Sequence, residues 1–93
     1  MNLRYTRRAF AEREAIYSCL EAQNPEGARN VAQAIAQALR ALALFPLLGR
    51  QTDFGEVREL IVPRYPYKIY YRVEGEEIWI LHLRVSRRRP LAK

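Results

Sequence analysis

Ninety-three residues make one small domain, able to bury roughly 60 to 65% of its unfolded surface and too short for two independent cores. Apolar and aromatic residues form 49% of the chain and charged residues 28%, a mixture too hydrophobic for disorder. A single cysteine and a single histidine exclude an internal disulfide and argue against a structural zinc site, so neither metal nor cofactor is expected.

The net charge of +6 is unevenly spread: residues 1–48 carry six Lys/Arg against four Asp/Glu, whereas residues 78–93 carry five Lys/Arg and no acid. Such a field favours nucleic acid, the ribosome or an acidic protein segment as partner, although a basic pI also serves plain solubility. The opening residues MNLRYTRRAF place no apolar run behind the early positive charge, so a secretory signal is not expected and a cytoplasmic location is. The longest mostly apolar stretch, Ala41 to Leu48, contains a proline and is far short of the roughly 20 residues that span a bilayer, so no membrane partner is expected.

In chain order, Asn2 to Thr6 alternates polar and apolar residues and reads as a short opening strand, with Thr6 placed to cap a helix beginning at Arg7. Phe10, Ile16, Tyr17 and Leu20 recur at helical spacing, predicting an amphipathic helix over residues 7–23 in which Cys19 serves as a small packing residue. Asn24-Pro25-Glu26 is a break and restart: a cap, a proline in the first helical position and an acid for the dipole. Val31, Ile35, Ala38, Leu42 and Phe45 then form the stripe of a second helix, and the alanines between them allow close packing against the first, giving a helical hairpin. Phe45-Pro46 ends it, and residues 47–56 read as a connecting loop.

Three strands close the chain: Val57 to Val62, Tyr67 to Val73 and about Glu77 to Val85, separated by Pro63-Arg64-Tyr65-Pro66 and by Glu74-Gly75-Glu76. Simple alternation puts Trp79, Leu81, Leu83 and Val85 on one face of the last strand, against the helices, and Ile78, Ile80, His82 and Arg84 on the other. On the neighbouring strand Ile69, Tyr71 and Val73 suit the core, which leaves Lys68, Tyr70 and Arg72 on an open face. The expected architecture is α+β, β-α-α-β-β-β, with a helical hairpin on one face of an antiparallel sheet and a cationic, aromatic and partly apolar reverse face.

With this element order, the break at Asn24-Pro25, VRELIV, YKIYYRV and IWILHLRV followed by RRRP, the chain resembles the RelE/ParE toxins over nearly all of residues 1–93. The resemblance implies a growth-arresting toxin of a type II toxin-antitoxin pair, held in a hetero-oligomer by a cognate antitoxin, ParD-like or of another class. On that implication Lys68, Tyr70, Arg72, Ile80, His82 and Arg84 would receive the antitoxin's acidic and apolar residues, and Arg87, Arg88 and Arg89 would touch the target.

The family divides between RelE-like ribonucleases that cut messenger RNA on the ribosome and ParE-like toxins that poison DNA gyrase by protein contact. RelE-like enzymes resemble one another in second-strand lysines, a third-strand arginine, an arginine after the last strand and a terminal tyrosine. Here those positions hold Glu59 and Ile61, then Lys68, then Arg88, and the tyrosine is missing, so the resemblance favours ParE. The alternative is a ribosome-dependent nuclease built on His82, Glu59, Arg64, Arg84 and Arg88, in which His82 or Glu59 would be the base and the arginines would stabilise the phosphorane. A non-toxic RNA-binding relative is a third reading.

Overall fold

The computed structural model describes residues 1–85, in the order β1 (Asn2–Tyr5), α1 (Arg7–Gln23), α2 (Pro25–Leu44), β2 (Arg50–Gln51), β3 (Arg58–Ile61), β4 (Tyr67–Glu74) and β5 (Glu77–Val85). Arg87, Arg88 and Arg89 lie outside the described residues. Both helices start where the capping chemistry predicts. The Thr6 hydroxyl accepts from the Ala9 N–H at 3.1 Å and donates toward the Ile80 and Leu81 carbonyls, so one side chain caps α1 and ties it to β5. The Asn24 side chain accepts from the Gly27 N–H at 3.0 Å, with Pro25 opening α2.

α2 carries the apolar stripe to the core: Val31, Ile35, Ala38 and Leu42 are buried, joined by Ala28 and Leu39. Phe45, expected to continue the stripe, is the exposed C-cap, because the helix stops one residue before it. α1 is shallower, with Ala9 buried and Ile16, Tyr17 and Leu20 packed against the core from its margin. Phe10 is exposed, yet it shares the Arg13 guanidinium with Tyr5 at 4.9 Å and with Tyr17 at 5.7 Å. Cys19 is exposed on α1 and does not pack as expected.

The strands form one sheet in the order β1-β5-β4-β3-β2. β2–β3, β3–β4 and β4–β5 are antiparallel, but β1 pairs with β5 in parallel, Leu3 opposite Ile78 and Tyr5 opposite Ile80. The sheet is therefore mixed rather than wholly antiparallel, since the chain leaves β1 into the helical hairpin and returns at the opposite edge. β2, two residues long, falls in the expected loop; it is too short to show any alternation. β4 and β5 meet through a two-residue turn whose Gly75 has φ +60°, the positive value a tight hairpin loop needs there.

One irregularity resets the faces. Opposite Tyr70 stands His82, but opposite Tyr71 stands Ile80, so Leu81 is an extra residue, a β-bulge. Ile78 and Ile80 consequently turn toward the helices, 0% and 1% exposed, and Trp79 turns the other way. The alternation reading is right for His82, Leu83 and Arg84 and inverted for Ile78, Trp79 and Ile80. Ile80 thus belongs to the core and not to an open binding face, and Trp79 does not pack on the helical hairpin.

Candidate functional site

The uncovered face is built from alternate residues of each strand: Arg4 on β1, Trp79, His82 and Arg84 on β5, Lys68, Tyr70 and Arg72 on β4, Glu59 on β3 and Arg50 on β2. The expected row of Lys68, Tyr70, Arg72, His82 and Arg84 does share one face. Each cation in it already holds a carboxylate of the same chain. Arg4 lies 2.7 Å from Glu77, Arg72 lies 3.2 Å from Glu74, and Arg84 lies 3.8 Å from Glu12. The face is a lattice of ion pairs rather than bare positive charge.

Glu59 is the most engaged of these acids, 5% exposed although no helix covers its side of the sheet. Its Oε1 accepts from Arg50 Nε at 2.8 Å, and its Oε2 accepts from Lys68 Nζ and from the Tyr70 hydroxyl, each at 3.0 Å. Burial pushes the carboxyl up, but the hydrogen bonds from Arg50, Lys68 and Tyr70 and the Lys68 charge override it and bring the pKa down to about 2. Burial and the bond to Glu59 in turn push the Tyr70 phenol up.

Glu12, reaching from α1, is the second internal acid. It accepts the Leu83 N–H at 3.0 Å, where β1 no longer covers that edge of β5, and lies 3.4 Å from His82 Nδ1. Arg84 Nη2 stands 3.3 Å from the same His82 nitrogen, and the Tyr70 ring meets the imidazole edge-on at 6.3 Å. Of the residues proposed for a nuclease site, His82, Glu59 and Arg84 share this face, with Tyr70 standing between the first two. Arg64 sits in the β3–β4 turn at φ 73° and lines a different feature, and Arg88 is outside the described residues. Among the described residues no cluster of three or more His, Cys, Asp or Glu is placed to hold a metal ion.

That different feature is a groove of about 860 Å³ between α2 and β3. Ala34, Ala38 and Ala41 form one wall, Leu60 and Ile61 the other, and Leu48, Tyr65 and Arg64 close its ends. β2 pairs only with Arg58 and Glu59, so the edge of β3 at Leu60 and Ile61 has no neighbouring strand among the described residues. Leu44, Phe45, Leu47 and Leu48 add four exposed large apolar residues in a span of five. Sequence reasoning assigned them to a helix end and a loop and missed the surface; a run of apolar residues across a proline was the available signal.

The backbone under this surface is fixed from below. The buried Tyr71 hydroxyl donates to the Pro46 carbonyl and accepts from the Gly49 N–H, each at 2.8 Å. A Cβ on Gly49 would stand 2.7 Å from the Tyr71 ring and 2.8 Å from the Glu59 carbonyl oxygen, so only glycine fits.

A helical hairpin on one face of a mixed five-stranded sheet, with charge-paired residues on the reverse and an apolar groove at one edge, defines a small α+β protein of the RelE/ParE type. The chain belongs to the ParE toxins: residues 3–90 match the family described as ParE toxin of type II toxin-antitoxin system, parDE. It is similar to the Sinorhizobium fredii protein bearing the toxin name Y4kP, at 33% identity over 82 residues, which cover 86% of this chain and 85% of that one. It is also similar to a solved structure described as the chromosomal ParDE TA system from P. aeruginosa, with a TM-score of 0.81 and 33% identity over 91% of this chain and 95% of that one. A YoeB/ParE toxin from Agrobacterium tumefaciens, 15% identical with a TM-score of 0.61 over 91% of this chain and 98% of that one, shares the fold.

Proposed function

We propose that this ParE-like toxin acts on DNA gyrase by protein contact and is neutralised by an antitoxin that docks along the α2–β3 groove. The observation that carries the first part is that the residues of a nuclease site are not assembled: one candidate base is committed and one of the cations lies elsewhere. Glu59 is held by three donors with its pKa lowered to about 2, and Arg64, which would stand with His82 at such a site, lies apart in the β3–β4 turn. RNA cleavage through a 2'-hydroxyl needs a group free to take its proton. Poisoning by contact needs none.

The second part is supported by the groove's apolar walls and the free edge of β3. An extended or helical peptide segment would bury apolar side chains there, and Arg64, which forms no ion pair among the described residues, would receive a carboxylate. The open-face set Lys68, Tyr70, Arg72, His82 and Arg84 is the other docking surface, less favoured because its cations already hold carboxylates. The ParDE system named for the P. aeruginosa structure supports the expectation that the antitoxin is ParD-like.

Gyrase supercoiling and cleavage-complex assays with the purified toxin test the target. Inhibition relieved by the antitoxin is the expected result. No inhibition at micromolar protein, together with codon-linked cuts in translated messages that vanish in His82→Ala, would replace this reading with the ribosome-dependent nuclease.

A further inference from the structure

Glu59 is a buried carboxylate on the side of the sheet that no helix covers. Its cover is a set of three donors from the two flanking strands: the Arg50 guanidinium from β2, and the Lys68 ammonium and Tyr70 hydroxyl from β4. A guanidinium, an ammonium and a phenol converging on one point make a donor set suited to any oxyanion, a phosphate as readily as a carboxylate. Arg50 is 76% exposed, so the cradle opens to solvent along one lip. Arg84 stands across from Lys68 and His82 across from Tyr70, extending the donors along the face, with Trp79 farther along β5. Cations interleaved with aromatic rings on an open sheet are the make-up of a single-stranded nucleic acid platform.

We propose that Glu59 is a built-in anion that fills the Arg50–Lys68–Tyr70 cradle and keeps nucleic acid phosphates out of it. Attached to the middle of β3, the carboxylate competes as an intramolecular ligand, and an incoming phosphate would have to meet the donors at their local concentration. Displacing Glu59 would also leave its charge unpaired between two strands. One side chain therefore sets whether this cradle is available to a polyanion. The assignment goes beyond the gyrase reading and does not depend on it, because occupancy of the cradle is read with RNA alone and without gyrase.

The test is a fluorescence-anisotropy titration of the full chain with a labelled, unstructured single-stranded RNA over a range of salt concentrations. Glu59→Gln keeps the shape and removes the charge. It should tighten binding about tenfold at low salt and steepen the salt dependence by about one phosphate contact. Adding Lys68→Ala should abolish that gain. In the otherwise unchanged chain, Arg50→Ala should alter RNA affinity no more than Arg29→Ala, an exposed arginine on α2, since the cradle's cations are already taken. A folded Glu59→Gln protein with unchanged affinity would overturn the assignment, and so would an Arg50→Ala loss beyond the Arg29→Ala control. If Glu59→Gln does not fold, the Arg50→Ala comparison decides alone, because that side chain is exposed.

Discussion

The ionisation of Glu59 is coupled to folding because its donors are assembled only when β2, β3 and β4 are paired. Its folded pKa of about 2 lies below the ordinary 4.5, so its contribution is present above the unfolded value and is lost as the pH falls toward 2. By linkage the contribution is roughly 3 kcal/mol at neutral pH, fading below about pH 5. Urea unfolding across that range should show the decline, and Glu59→Gln should be less stable at neutral pH and show a flatter acid limb. Tyr71 makes a second residue-scale case, since its hydroxyl serves two backbone groups at once. Tyr71→Phe should cost about 1 to 3 kcal/mol by leaving a buried N–H and a carbonyl without partners. Gly49→Ala, driven into the same ring, should cost a similar amount by overpacking.

Among the elements, β5 shows most clearly how far local pattern carries. Its limits, Glu77 to Val85, come from the Gly75 turn and from the β-branched and aromatic content of the strand, and both helices come from their caps. The faces of β5 do not, because the bulge at Leu81 has no signature in IWILHLRV. It arises from pairing with β4, where Tyr71 must enter the core to reach Pro46 and Gly49. Glu12 is unreadable for the same reason: its partners His82, Leu83 and Arg84 lie some 70 residues away. The bulge predicts an inverted ranking of two substitutions. Ile80→Ala, in the core at 1% exposure, should cost about 2 to 5 kcal/mol. Trp79→Ala, half-buried on the open face, should cost less, despite removing the larger side chain. Thermal unfolding of the two variants compares them directly, and iodide should quench the fluorescence of the single tryptophan in the folded protein.

At the scale of the molecule, most of the excess positive charge belongs to the last eight residues of the sequence, while within residues 1–85 cations and acids nearly balance. Residues 1–85 hold twelve Lys/Arg against ten Asp/Glu, so four of the six net positive charges fall in residues 86–93. The alternation of cations and aromatic residues in the sequence puts the partner on the open face, whereas the run of exposed apolar side chains from Leu44 to Leu48 lies at the end of α2 and in the loop after it, with Leu48 on the groove. In protein association apolar anchors supply most of the affinity, and charges mainly steer the encounter. Leu48 lines the groove and Leu47 is exposed beside it, so an aspartate at either position should be accommodated by the folded toxin yet place a charge where the antitoxin buries apolar atoms. Each of Leu47→Asp and Leu48→Asp should weaken antitoxin binding by about 2 kcal/mol or more, roughly thirtyfold in Kd, with gyrase inhibition retained. A matching pair on the open face, Lys68→Ala and Arg84→Ala, should slow association at low salt and change Kd far less. Titration calorimetry with the purified antitoxin measures both pairs, and a larger loss from the open-face pair would move the docking site to the ion-paired side of the sheet.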